Sequence, residues 1–255
     1  MAGKDKKVNQ FALTEAFLRL RSNIEFSGLD SKIQVINVVS TNANEGKSTV
    51  STNLAIAYAK KYSKVLVIDT DLRNPSVHKM LNTSNAKGLT NLLKHWSDDS
   101  SIEKSDEIQV FGLDNERYLY FLSAGQRVPN PLEILGSKRF QSVVDKAREE
   151  FDIIIIDCPP YGVVSDCIPV SMISDGTIYV VSAKETNKYA AKSAMEDLKR
   201  NGGHIIGTVL TKVEDVGGSH YGYGSYGSYY GNYYGSYGNY DTSNTKKDKK
   251  KAAAK

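Results

Sequence analysis

Residues 40–49, with the sequence STNANEGKST, place a Gly-Lys-Ser triplet after an apolar run and before a helical pattern. In a P-loop, backbone N–H groups and a helix N-terminus bind phosphate, lysine reaches the β- and γ-phosphates, and a serine hydroxyl ligates Mg²⁺. Lys47 and Ser48 fit these two roles, although Thr41 occupies the usual position of the first glycine. The residues expected to contact the nucleotide are Asn44, Glu45, Gly46, Lys47, Ser48 and Thr49.

Three aspartates follow apolar runs elsewhere in the chain. Asp69 and Asp71 come after residues 65–68, and Asp157 comes after residues 151–156. Ligands of open α/β sheets bind at the carboxyl ends of strands, and alternation by two predicts that Asp69 and Asp71 point the same way. Asp157 matches the single metal-holding acid of a Walker B motif. Any one of these acids could equally be a helix cap or a surface residue, but the three elements in this order favour nucleotide hydrolysis or phosphoryl transfer.

The elements that must position these residues alternate along the chain. Apolar runs without polar alternation are typical of parallel strands covered on both faces, and helical spacing between them indicates a doubly wound sheet. The predicted strands are residues 33–39, 65–68, 118–122, 153–156, 177–181 and 205–210, and the predicted helices are residues 10–25, 48–60, 137–149 and 188–201. The expected fold is therefore α/β, with a mainly parallel sheet flanked by helices, as in P-loop NTPases.

Composition excludes several other classes of protein. Apolar residues (40%) suffice for a core, and no run approaches the roughly 20 apolar residues of a membrane helix. No secretory signal is evident, and two cysteines suit a reducing cytosol. The net charge of +4 comes from the ends, since residues 1–7 carry +2 and residues 241–255 carry +4. Residues 8–240 thus carry −2, which argues against nucleic acid as a partner.

The C-terminal part has a different composition from the rest. Residues 221–240 contain only tyrosine, glycine, serine and asparagine, which cannot build an aliphatic core, so residues 216–255 are predicted to be a disordered tail after a domain at residues 1–215. The nine tyrosines are Tyr221, Tyr223, Tyr226, Tyr229, Tyr230, Tyr233, Tyr234, Tyr237 and Tyr240. By itself such a tail could also be a linker that stacks on single-stranded nucleic acid. Its terminal lysines could touch anionic lipid or simply aid solubility.

Over residues 10–212 the chain resembles the bacterial tyrosine kinases (BY-kinases) of capsule and exopolysaccharide biosynthesis, in their Gram-positive cytoplasmic form. These are P-loop ATPases related to ParA and MinD, and a tyrosine-rich tail is a trait of the family. Besides the P-loop, the matching segments are residues 15–17 (EAF), 21–24 (RSNI), 68–75 (IDTDLRNP), 88–90 (GLT), 122–125 (LSAG), 129–135 (PNPLEIL) and 151–160 (FDIIIIDCPP).

The resemblance implies ATP-dependent and Mg²⁺-dependent transfer of phosphate to tyrosine. Lys47 would stabilise the transferring phosphoryl group, and Ser48 and Asp157 would organise the metal ion. Of the acidic pair, one carboxylate would orient or deprotonate the tyrosine hydroxyl, with Asp69 favoured for this role. The other, Asp71, would then hold a metal-bound water.

The resemblance also implies partners and a location. The tail tyrosines become acceptors for a neighbouring copy in a homo-oligomer, which could be a ring, and proteins of polysaccharide synthesis become further substrates. A separate membrane activator or co-polymerase would hold the cytoplasmic chain at the inner face of the cell membrane. Two departures from the family pattern are present: Leu18 interrupts the Glu-x-x-Arg-x-x-Arg contact motif between Glu15 and Arg21, and Thr211 stands where many relatives have an asparagine near adenine.

Two other functions share this fold. A ParA/MinD-type positioning ATPase would carry a signature lysine at position 42, where this chain has Asn42, and would lack a multi-tyrosine tail. A non-catalytic scaffold that binds nucleotide is disfavoured because the lysine, the serine and all three aspartates are present. Cys158 and Cys167 are expected to be packing residues.

Overall fold

The computed structural model describes residues 2–28, 32–97, 99–113 and 117–213. Within these ranges a single seven-stranded sheet has the order β3-β4-β2-β5-β1-β6-β7, and only the edge strand β3 is antiparallel to its neighbour. The strands are β1 (Val35–Ser40), β2 (Val65–Asp69), β3 (Ile108–Leu113), β4 (Arg117–Leu122), β5 (Ile153–Asp157), β6 (Gly176–Ser182) and β7 (Ile205–Thr211). The carboxyl ends of the six parallel strands therefore meet at one edge, where the candidate residues lie.

Helices cover both faces of the sheet, because the central strands send alternate apolar side chains to each side. Ile36 and Val38 of β1 pack in one core cluster, and Val35 and Val39 pack in the other. The helices are α1 (Ala2–Ser27), α2 (Lys47–Ala59), α3 (Val77–Met80), α4 (Leu89–His95), α5 (Pro131–Leu135), α6 (Lys138–Glu150), α7 (Ile168–Ile173) and α8 (Lys188–Arg200). Helices α1 and α2 supply the first cluster, while α4, α6 and α8 supply the second. The predicted doubly wound, mainly parallel fold is confirmed.

Each predicted strand and helix is present, with ends shifted by a few residues and with α1 longer than predicted. Strand β3 was not predicted, because an edge strand exposes alternate residues and this one contains Gly112. The short helices α3, α4, α5 and α7 were also missed, since four to seven residues show too little of a helical period.

The predicted tail, residues 216–255, lies outside the described residues together with its nine tyrosines and the domain boundary at residue 215. The disordered tail and the domain boundary therefore stay predictions. Among the residues that the structure describes, no helix is long and apolar enough to cross a membrane.

At the amino edge of the sheet, an ion pair fixes the starts of several elements. Both guanidinium Nη atoms of Arg148 donate to the Asp175 carboxylate at 2.8 Å. Asp175 also accepts the backbone N–H groups of Gln34 and Val35, both at 2.8 Å. The Gln34 side-chain amide donates to the backbone carbonyls of Arg148 and Phe151. This amino-edge cluster (Gln34, Arg148 and Asp175) ties α6, β1 and β6 together.

Candidate active site

The loop between β1 and α2 has the backbone of a phosphate-binding turn. Asn44 and Gly46 adopt left-handed conformations, with φ of 63° and 99°, and Gly46 is the residue before α2. Such conformations turn successive N–H groups toward one point, where a helix N-terminus adds its partial positive charge. A Cβ at Gly46 would also lie 3.2 Å from the Thr211 Cγ2 atom, so the left-handed conformation favours glycine and the space for a side chain is tight.

The side chain of Glu45, a residue that the sequence assigned to the nucleotide, anchors the loop. Its buried carboxylate accepts hydrogen bonds from the backbone and side chain of Asn42, at 3.0 and 3.1 Å, and from the Thr186 hydroxyl at 2.6 Å. The Thr211 hydroxyl donates to the Glu45 carbonyl at 2.6 Å. Asn42 and Thr211, two of the positions that depart from related patterns, thus both hold the P-loop in shape. Thr186 has no sequence motif that could have identified it.

Asp157, at the end of β5, organises a chain of hydroxyl groups. It accepts hydrogen bonds from Ser48 Oγ at 2.6 Å and from Ser51 Oγ at 2.7 Å, and Ser76 Oγ donates to Ser48 Oγ at 2.7 Å. The predicted pair of Ser48 and Asp157 is therefore brought together, whereas Ser51 and Ser76 were not predicted. Oxygen ligands suit Mg²⁺, which protein sites hold through one or two carboxylates plus phosphate oxygens. Among the described residues, no cluster of three or more His, Cys, Asp or Glu is suited to hold a metal ion.

Asp69 and Asp71 differ in their surroundings. Strand β2 ends at Asp69, so Asp71 lies in the following loop and the expectation from strand alternation does not apply. The Asp69 carboxylate is fully buried and accepts the backbone N–H groups of Asp71, Ser76 and Val77 at 3.1 to 3.2 Å. Asp71 retains 8% exposure and accepts the N–H of Asn74 at 2.9 Å.

Burial shapes the electrostatics of this site. Burial, followed by the charge of Asp157, raises the pKa of Asp69 well above its usual value. Burial raises the pKa of Asp157 to about 6, against the opposing effects of Lys47 and the two serine hydroxyls. Burial also raises the pKa of Asp71, which Lys47 and backbone N–H groups partly offset. With these three carboxylates ionised and Lys47 protonated, the cluster carries a net charge of −2, which one Mg²⁺ would neutralise.

The remaining predicted residues surround this cluster. Lys47 is buried, with 6% exposure, and Asn44 and Thr49 are exposed at the mouth of the loop. Cys158 and Cys167 are buried, and burial raises the pKa of both thiols, to about 12 for Cys167, as expected of packing residues.

Comparisons with known proteins agree with this geometry. A family model described as "AAA domain" matches residues 33–201. The tyrosine-protein kinase YwqD of Bacillus subtilis is 34% identical over 210 residues, which are 82% of this chain and 85% of YwqD. The kinase domain of the Escherichia coli tyrosine kinase ETK superposes with a TM-score of 0.72 at 28% identity, over 83% of this chain and 80% of that one. The septum site-determining protein MinD of Pyrococcus horikoshii, solved with Mg-ADP, shares the fold at 24% identity, with a TM-score of 0.54 over 69% of each chain.

Proposed function

The chain belongs to the bacterial tyrosine kinases (BY-kinases), and we propose that it transfers the γ-phosphoryl group of ATP to tyrosines in the C-terminal segment of neighbouring copies. The observation that carries this proposal is the hydrogen bond of 2.6 Å between Ser48 and Asp157, next to Lys47 in the sequence of the P-loop. Two further acids, Asp69 and Asp71, follow at the end of the neighbouring strand β2. In the sheet Asp69 lies in register with Asp157. The metal-bound phosphates of ATP and the acceptor tyrosine would therefore meet at the carboxyl ends of β2 and β5.

On the donor side, the P-loop N–H groups and Lys47 would bind the phosphates of ATP. Lys47 is a buried residue at the start of α2, so its ammonium group would stabilise negative charge as it develops on the transferring group. Ser48 and Asp157 would hold Mg²⁺ directly, and Asp71 would hold it through a water molecule. When bound, the ion would neutralise the β- and γ-phosphate charge. Lys47 would then act on the oxygens that the metal leaves free.

On the acceptor side, the tyrosine hydroxyl would be oriented by Asp69, which would also take its proton. A free tyrosine has a pKa near ~10, so positioning contributes more than basicity. Because Asp69 is fully buried, the segment at Ser76 and Val77, whose N–H groups cover it, must move aside before a tyrosine can reach it. Substituting each acid by asparagine separates the roles. Asp69→Asn should abolish transfer at every Mg²⁺ concentration, whereas excess Mg²⁺ should partly rescue Asp71→Asn.

The tail tyrosines (Tyr221 to Tyr240, nine in all) are the proposed acceptors. Each phosphate adds −1.5 to −2 charges, so complete modification would add about −14 to −18 and disperse an assembly whose tails occupy neighbouring sites. The Arg21 guanidinium contacts its own chain, donating to the Ala57 carbonyl at 2.7 Å. Contacts between copies therefore need a different set of residues from the complete Glu-x-x-Arg-x-x-Arg motif.

The family resemblance supplies the wider role that we propose. The chain would act in the cytoplasm at the inner face of the cell membrane, bound to a separate membrane activator or co-polymerase. Phosphorylation of the tail, and of proteins of polysaccharide synthesis, would regulate the production and export of capsule or exopolysaccharide.

The test uses two full-length forms that differ in mass. Lys47→Met carrying an added tag serves as acceptor, and the untagged wild-type chain serves as enzyme, with Mg-ATP and with or without a candidate activator segment. Phosphotyrosine is then mapped by mass spectrometry. We expect phosphate on Tyr221–Tyr240 of the tagged acceptor, and none when both chains carry Lys47→Met.

Two results would contradict the proposal. Phosphate found only on the untagged chain would exclude transfer between copies. ATP hydrolysis without any tyrosine modification, even with the activator, would instead indicate a positioning ATPase with a linker at its C-terminus.

A further inference from the structure

Arg73 and Asp166 form an ion pair across the crevice of the site. Arg73 lies in the loop after β2, and Asp166 lies in the short 3₁₀ turn Ser165–Cys167 after β5. The Arg73 Nε and Nη2 atoms donate to the two carboxylate oxygens of Asp166 at 2.5 and 3.0 Å. Because β2 and β5 are neighbours whose last residues, Asp69 and Asp157, lie in register, this pair spans the loops directly above the acidic cluster.

The two partners are buried to very different extents. The Asp166 side chain is 3% exposed, whereas the Arg73 side chain is 48% exposed. The carboxylate thus fixes one edge of the guanidinium, and the Nη1 atom donates to no other described residue. A half-exposed arginine aligned by a buried carboxylate presents its other edge in a defined direction, as bidentate phosphate recognition requires.

The charge of Arg73 also complements that of its surroundings. Asp71, two residues earlier, lies close enough to Lys47 and Asp166 for both charges to affect its pKa. Lys47 is the buried cation at the P-loop, and Arg73 is an exposed cation after β2. A phosphoryl group moving from the nucleotide toward the surface would therefore pass from one cation to the other.

We propose that Arg73, held in position by Asp166, binds the phosphoryl group on the acceptor side and so contributes to recognition of the phosphotyrosine product. This inference rests on the proposed tyrosine kinase activity. In the transfer, the tyrosyl oxygen forms a bond to the γ-phosphorus while the bond from that phosphorus to the β–γ bridging oxygen breaks. ADP leaves with the bonding electrons, and the hydroxyl proton passes to Asp69. The product carries −1.5 to −2 charges, which the free edge of Arg73 would meet.

The alternative is that Arg73 and Asp166 form a purely structural ion pair. A structural role and a phosphate-binding role of Arg73 predict different results when lysine replaces the arginine. Lysine retains the charge that a structural pair uses, but it lacks the planar fork that binds Asp166 and a phosphate simultaneously. Binding of a phosphate ligand, rather than stability, is therefore the property to measure.

The experiment measures two affinities of the full-length protein. The first is for a synthetic peptide of residues 219–240 with a single phosphotyrosine at Tyr226, compared with the unphosphorylated peptide, and the second is for Mg-ADP. The variants are Arg73→Gln, Arg73→Lys and Asp166→Asn. Arg73→Gln combined with Asp166→Asn controls for folding, because it leaves no unpaired buried carboxylate. Arg200→Gln is the matched control, since Arg200 also pairs with an aspartate, Asp197, but at the C-terminal end of α8.

We expect Arg73→Gln to weaken phosphopeptide binding at least about tenfold, the usual range for a charge-assisted contact. Arg73→Lys and Asp166→Asn should have smaller effects in the same direction, while Mg-ADP affinity changes less than twofold and Arg200→Gln binds as wild type. Equal phosphopeptide affinity of Arg73→Gln and wild type would overturn the inference. So would a wild-type protein that does not prefer the phosphorylated peptide, or a parallel loss of Mg-ADP binding.

Failure of the proposed function can be recognised separately. A wild-type chain that prefers the phosphopeptide through Arg73 but does not phosphorylate the Lys47→Met acceptor would retain the binding site and exclude the kinase activity. Phosphorylation of that acceptor with unchanged kinetics in Arg73→Gln would retain the kinase and exclude the role of Arg73.

Discussion

At the carboxyl edge of the sheet lie Asp69, Asp71 and Asp157, and burial raises the pKa of all three acids. At the amino edge, Asp175 is also partly buried, but hydrogen bonds from Arg148 and from the N–H groups of Val35 and Gln34 outweigh the effect of burial and lower its pKa. The ionised form of aspartate is thus destabilised at the carboxyl edge and stabilised at the amino edge.

The difference follows from how deeply each carboxylate is buried and from whether a cation is paired with it. The amino-edge cluster pairs one cation with one anion and adds backbone donors, so its charges are compensated within the fold. The carboxyl edge has three acids and one lysine, which leaves a surplus of negative charge for a bound cation to compensate. Buried polar groups that the fold itself does not compensate are typical of functional sites, where stability is sacrificed for chemistry. The predictions below test this contrast.

The largest effect is expected for Lys47→Met. It removes the buried cation that opposes phosphate charge, so tyrosine transfer should fall by about 10²–10³-fold, as when other transition-state donors are removed. Thermal unfolding without nucleotide should change little, because the only side-chain hydrogen bond to Lys47 among the described residues is from Ser51 to its backbone carbonyl, which the substitution leaves in place. Phosphotransfer rates and melting curves measure both quantities, and a large fall in melting temperature would show that Lys47 has a structural role.

Asp157→Asn should lower the rate of transfer without lowering the free energy of unfolding. Asparagine has nearly the same shape, and the hydroxyls of Ser48 and Ser51 can rotate to suit it, but the charge that would hold Mg²⁺ is lost. Transfer should fall about 100-fold, while the free energy of unfolding without nucleotide stays equal or rises, because a buried charge with a raised pKa has been removed. A marked loss of stability would contradict the proposed difference between the two edges.

The opposite pattern is expected for Arg148→Met at the amino edge. Loss of the guanidinium leaves Asp175 with only backbone donors and frees the Ile173 carbonyl, so the free energy of unfolding should fall by about 1–3 kcal/mol. Transfer per folded molecule should remain at the wild-type level. Lys146→Met on the same helix is the control, because its pair with Glu149 is at the surface and should contribute little to stability. Chemical denaturation compares the three proteins.

The sequence was sufficient to predict the parts of the site that follow from local pattern. The P-loop residues and the three aspartates each adjoin a strand with a strong apolar signal, so both the fold and the edge at which they meet could be predicted. Contacts that depend on tertiary structure could not. Ser76 reaches Ser48 from another loop, and Asp166 reaches Arg73 across two strands; neither spacing matches a known motif.

The sequence also could not show which side chains form hydrogen bonds within the P-loop. Glu45 lies inside the P-loop and was assigned to the nucleotide, yet its side chain faces Asn42 and Thr186. Thr211 was noted only as a departure from the pattern of relatives, and its bond to the Glu45 carbonyl becomes visible only when β7 is placed beside β6. Position in a motif therefore does not by itself predict which groups a side chain contacts.

The smallest predicted effect concerns pH and uses Asp175→Asn. A carboxyl group whose pKa is lower in the folded state stabilises the fold above its unfolded value, near ~3.9, and loses this contribution as the pH falls through the folded value. The difference in unfolding free energy between wild type and Asp175→Asn should therefore be constant from pH 5 to 7, at about 1–2 kcal/mol, and should shrink below pH 4. Asp106→Asn is the control, because it measures the effect of replacing an exposed aspartate by asparagine on the free energy of unfolding. A difference that instead grew on acidification would mean that Asp175 is destabilised when ionised, and the two edges of the sheet would then treat buried charge alike.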